Sequence, residues 1–168
     1  MEVKELLLKL LDREAVASRK AIERLPEGNN TWKPHERSME LGSLASLSAT
    51  MPGWIALMIE TDELDIGTPD NGGLRTHSDI TRAGLLEQLE EGLAKSRAAL
   101  IATTDDHLMK TWRITMGEQV LAEDPRYMAI ADNCLCHLAH HRGQLTVFYR
   151  LLEAKVPALY GPSADEAL

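Results

Sequence analysis

The chain has 168 residues, the size of one ordinary domain, with 26 acidic against 18 basic residues and a formal charge of −8. That balance, with only 4% aromatic residues, argues against a nucleic-acid surface. Phosphate binding needs clustered Lys and Arg, and single-strand binding needs aromatic stacking platforms. A domain of this length buries about 70% of its unfolded surface and needs no disulfide or metal to hold it folded.

The two cysteines, Cys134 and Cys136, would project about 200° apart on an α-helix and cannot bridge each other. A reducing cytoplasm is the expected compartment. The N-terminal stretch MEVKELLLKLLDRE mixes charges into its apolar run and reads as an amphipathic helix, not a signal peptide. The apolar stretch 41–59 is interrupted by Ser, Thr and Pro52, and no membrane span is expected.

In chain order, the spacing predicts a first helix over residues 2–25, with Val3, Leu6, Leu7, Leu10, Ala17, Ala21 and Ile22 inward. PEGNN stops it. A second helix follows Ser38 as N-cap and runs to residue 60, kinked where Pro52 removes the hydrogen bond to Ser48. A Gly-rich loop leads to a third helix over 79–103, with Leu85, Leu89, Leu93 and Leu100 inward. Alternation at Trp112, Ile114 and Met116 before Gly117 suggests a short strand or hairpin within 104–124. The last helix is expected over 125–154, followed by a tail that Pro157, Gly161 and Pro162 turn back over the molecule or leave frayed. Four long helices around one core predict an all-α, four-helix bundle in a single domain.

Half of the six histidines and both cysteines fall in CLCHLAHH, residues 134–141. His137 and His141 are four apart and share a helical face, so their rings can converge on one ion. Cys134 lies about 20° from His141 in α-helical azimuth and is a candidate third donor, although a buried cysteine is more often an inert hydrophobe. His107 is a second candidate, from a loop. Cys136 reads as packing, and mid-helix Gly143 suggests a close approach by another helix or the tail. Arg142 suits either an ion pair or a substrate anion. Trp54 fits the core stripe or a pocket wall, as do Trp32 and Trp112, whereas His35 and His77 read as loop residues. The zinc-protease pattern fails because Leu138 follows His137 where a glutamate is needed.

The string from His137 to Glu166, HLAHHRGQLTVFYRLLEAKVPALYGPSADE, with Trp32, RSMELG, MPGW and Trp112 upstream, closely resembles the DinB/YfiT-like family of metal-dependent bundle proteins. The resemblance implies a four-helix bundle of unusual connectivity, commonly a homodimer. It also implies a divalent site, nickel or zinc, built from three histidines. Two of these carry over onto His137 and His141. The third falls five residues before Pro52, where this chain has Leu47, and a leucine cannot ligate a metal. The activity implied is a metal-dependent thiol transferase or hydrolase acting with a low-molecular-weight thiol, with Arg142 and Trp54 at the substrate. The rival expectation is a non-catalytic, stress-response bundle that binds a small ligand or a partner after losing the metal. The family's name suggests DNA damage, but the charge of −8 argues against DNA as a partner.

Overall fold

The computed structural model describes residues 1–67 and 80–167. The chain is mostly helical with a small three-stranded sheet. His77 and the expected start of the third helix at residue 79 lie outside the described residues.

Helix α1, Val3–Glu23, buries Leu7, Leu11, Ser18 and Ile22, four or seven residues apart, so one stripe faces inward. Leu11 takes the innermost place expected of Leu10, and Leu6 is exposed. The helix starts with help from far along the chain. Val3 and Lys4 donate their backbone N–H groups to the Asp105 carboxylate at 2.7 and 3.0 Å. That carboxylate therefore supplies the capping that no local side chain provides.

The second helical rod begins at Leu41, not at Ser38, and Glu40 occupies its N-cap without a side-chain hydrogen bond. It is divided into α2, Leu41–Thr50, and α3, Trp54–Glu60, by a 3-10 turn at Met51–Gly53. This is the kink expected of Pro52. Two side chains from other helices enter the broken ladder. Ser96 accepts from the Ala56 N–H at 3.1 Å and donates to the Pro52 carbonyl at 2.6 Å. Cys134 donates its S–H to the Met51 carbonyl at 3.1 Å and holds the Ile55 N–H. Each fills a gap that an i→i−4 bond would otherwise close. The fit requires backbone contact: a Cβ on Gly92 would lie 3.1 Å from the Gly53 nitrogen.

By length and composition alone Leu41–Glu60 meets the measure of a membrane-spanning helix, with a mean hydropathy of 1.3, a measure that a core helix also meets; 61% of its most apolar window is buried within the protein. Helix α4, Arg82–Ala102, is capped by Thr81, whose hydroxyl accepts from Gly84. It buries the predicted leucine stripe together with Ser96. Helix α4 packs against α1, α2 and α3, and α2 packs against the last helix.

After the short α5, Asp105–Leu108, comes the expected hairpin, formed by β2, Thr111–Met116, and β3, Gln119–Pro125. They pair antiparallel, with Trp112 opposite Asp124 and an irregularity at Ile114/Thr115. A strand that the alternation did not reveal, β1, Glu63–Asp65, adds to β2 in parallel. Three residues are too few to show a period.

The last helical stretch is not uniform. A single turn, α6, Arg126–Ala129, passes into a π-helical segment, Ile130–Cys136, and only then into α7, His137–Leu151. Arg126 is wholly buried and donates to the carbonyls of Met58 (2.5 Å), Thr61 (2.7 Å) and His107 (3.2 Å). Its carboxylate partner, Asp62, is 91% exposed. The carbonyls at the end of α3 therefore supply much of its compensation. The tail runs back, as expected: Glu166 lies 3.9 Å from Lys20 on α1 and from Arg24 just past its end.

Ser96→Ala is expected to cost about 1–3 kcal/mol, because it strands two buried backbone groups; urea unfolding measures it. The backbone bonds from Lys4 and Val3 hold the Asp105 carboxyl below the usual carboxylate range. Its contribution is therefore complete above about pH 4 and is lost as pH falls through the lowered folded value. The gap in urea midpoint between wild type and Asp105→Asn should be constant from about pH 7 to 5 and shrink below about pH 4.

Candidate functional site

The wide i→i+5 turns of the π segment shift the azimuth of every residue before His137 relative to those after it. The α-helical placement of Cys134 beside His141 therefore does not apply. Cys134 is fully buried, with its thiol in the α2–α3 break. Burial pushes its pKa far up, against a smaller opposing effect from the Ile55 N–H, so it is a neutral thiol. His107 is also engaged elsewhere, with its Nε2 2.9 Å from the Ile59 carbonyl. Leu47, half-buried on α2, offers no donor atom.

Helix α7 does bring its histidines together. The His137 and His141 rings lie 4.4 Å apart between centroids, and His140 lies 5.3 Å from His141 and 6.4 Å from His137. Trp54, placed at the start of α3 by the Pro52 break, presents its ring 6.4 Å from His137 in an edge-on arrangement. His137 and His140 are exposed, while His141 is 8% exposed. Burial lowers the His141 pKa; its hydrogen bond to Gln144 opposes this, and the neighbouring His137 and His140 lower it further. It therefore stays neutral at neutral pH. Gln144 bridges the cluster, with Oε1 2.9 Å from His141 Nδ1 and Nε2 3.1 Å from His140 Nε2. Sequence inspection did not single it out as a functional residue, although its spacing of three and four from His141 and His140 is the signal for such a contact.

Among the described residues, no group of three or more His, Cys, Asp and Glu side chains is placed to hold a metal ion. The donors suggested for the third position point elsewhere. This donor set does not fit the three-histidine centre that the resemblance implies.

Arg142 is wholly buried, with both terminal nitrogens bonded and Nε without a hydrogen-bond partner among the described residues. It pairs with Glu14, donates to Ser18 Oγ at 2.9 Å and bonds the Tyr160 hydroxyl, which itself donates to Glu14 at 2.6 Å. Its guanidinium carbon lies 5.2 Å from the Tyr160 ring centroid. These contacts tie α7, α1 and the tail together and leave the side chain no route to a substrate anion. Gly143 has open space where a Cβ would stand, and no helix or tail among the described residues approaches it there. Cys136 is exposed rather than packed. Trp112 is buried with its Nε1 3.3 Å from Thr61 Oγ1, and Trp32 meets Phe148 edge-on at 5.5 Å. Arg142→Ala should cost about 3–5 kcal/mol by leaving the largely buried Glu14 carboxylate without its counter-charge, with only the Tyr160 hydroxyl still donating to it. A loss below about 1 kcal/mol in urea unfolding would mean that the tie behaves as a solvent-screened surface pair.

No protein-family model and no curated protein matches the chain. Solved structures do. A DinB-like protein from Bacillus cereus superposes with a TM-score of 0.68 at 19% identity, covering 93% of this chain and 97% of its own. A DinB-like protein from Bacillus subtilis superposes with a TM-score of 0.64 at 18% identity, covering 90% and 96%. Across nearly its whole length, the chain has the fold of the DinB-like proteins.

Proposed function

We propose that this chain is a single-domain four-helix bundle of the DinB-like kind whose histidine face binds a small molecule, without the three-histidine metal centre. His137, His141 and Trp54 form the face. The observation that carries this reading is the fate of the third donor. Position 47 is aliphatic, the Cys134 thiol fills a gap in the α2–α3 ladder, and His107 is bonded to the Ile59 carbonyl. Two imidazoles on adjacent turns bind a divalent ion with less chelate advantage than three converging donors.

A second reading is favoured by the 4.4 Å separation of the His137 and His141 rings. In it the pair retains a divalent ion, nickel or zinc, whose remaining donor comes from a low-molecular-weight thiol substrate. The activity is then thiol transfer or hydrolysis. Bound metal would supply Lewis acidity and favour the thiolate.

Metal analysis of tag-free protein separates the two. The first reading expects less than about 0.1 equivalent of metal and no thermal shift on adding zinc or nickel, with or without 2-mercaptoethanol. Stoichiometric metal, or a shift requiring metal and thiol together, overturns it in favour of the second. Leu47→His should raise zinc or nickel affinity at least about tenfold by restoring a third donor. An unchanged affinity would show that position 47 does not face the histidine pair.

A further inference from the structure

We infer that this chain carries a second small-molecule site, which takes a neutral hydroxyl compound with an apolar body the size of one ring, such as a phenol. A recess of about 350 Å3, within the range of ligand-sized cavities, lies where the ends of α3 and α4 meet α5 and opens to solvent. It shares no residue with the histidine face. Ile59, Ala99 and Ala102 form its apolar wall, and Glu60, Thr104 and His107 supply polar side chains. Ala99 and Ala102 are three apart on α4, so two short side chains stand on one face and leave the space between the helices unfilled.

His107 carries the polar recognition. A backbone carbonyl only accepts, so the 2.9 Å contact between His107 Nε2 and the Ile59 oxygen fixes a proton on Nε2. In the neutral ring the lone pair is then on Nδ1. That nitrogen has no hydrogen-bond partner among the described residues and is not one of their buried unpaired atoms, so solvent reaches it. Beside it, the Thr104 hydroxyl accepts from the His107 backbone N–H at 3.2 Å and keeps its own hydrogen to donate. A ligand hydroxyl matches both groups: its hydrogen suits Nδ1 and its oxygen suits Thr104.

Charge selects against an anion. Glu60 is exposed and contributes a carboxylate to the recess. The nearby cations are engaged by other groups. Lys4 Nζ lies 3.5 Å from both the Thr103 carbonyl and Glu2, and Arg126 is buried on the His107 carbonyl with Asp62 as its counter-charge. An ammonium would be drawn by Glu60, but it must shed water against an apolar wall. A neutral hydroxyl compound avoids both costs.

Titration of the full-length protein with phenol, followed by the histidine ring signals in nitrogen-15 NMR at about pH 8, tests the site. Free His107 should carry its proton on Nε2. Phenol should perturb His107 saturably at about 1 mM, the scale for so small a fragment, and leave His137 and His141 unchanged. Benzoate and benzylamine should bind at least about tenfold more weakly. Ala102→Phe, at an exposed position, should fill the recess and abolish the response with the urea midpoint nearly unchanged. Glu60→Gln should strengthen benzoate about threefold and leave phenol as it was. A free His107 proton on Nδ1, no saturable response up to about 10 mM, a response that survives Ala102→Phe, or one confined to the histidine face overturns the site. Benzoate or benzylamine binding as tightly as phenol, or benzoate unmoved by Glu60→Gln, overturns the ligand class.

Discussion

The structure turns on a gap in one helix. Pro52 lacks the N–H that would bond Ser48, and the turn at Met51–Gly53 tightens, leaving the polar groups of the next residues without their usual i→i−4 partners. These groups are buried, so they must be paired within the protein. Ser96 from α4 and Cys134 from the π segment fill successive places in the ladder, each as donor and acceptor together. Two other helices are thus keyed to one point. The backbone approach of Gly53 and Gly92 is the steric condition for it.

The site follows from that junction. The break re-aims α3, setting Trp54 toward His137. On the other side, Cys134 lies in the π segment that ends immediately before His137. Two irregularities in facing helices therefore meet, and the histidine face begins where the second returns to α-helical geometry. The two buried arginines hold the remaining elements. Arg126 gathers the carbonyls at the end of α3, and Arg142 joins α7 to α1 and the tail. A buried guanidinium is costly without such pairing, and Arg142 spends its terminal nitrogens on Glu14, Ser18 and Tyr160.

Much of the helical layout was legible in the residues. The leucine stripe of α4, the stop at PEGNN and the Pro52 kink are local consequences of periodicity and of a missing N–H, and they appear where expected. The hairpin at Trp112–Met116 was legible from alternation. Other features were not, for physical reasons. Asp105 caps α1 from some hundred positions away, so the residues around the start of α1 gave no guide to that cap. Leu11 rather than Leu10 is innermost because α4 and α7 set the azimuth of α1, and propensity does not choose between adjacent leucines.

The candidate site divides in the same way. The donor inventory is a matter of residue type and spacing: two histidines four apart, a third beside them, and Leu47 where a ligand is expected. No folding event can give leucine a donor atom. Which of these side chains are free to act depends on the packing of the other helices. Cys134 and His107 are chemically able to ligate, and Arg142 could have met an anion. Each is committed elsewhere because a buried polar group bonds to whatever the packing brings within reach, and periodicity along one helix carries no information about the helix opposite.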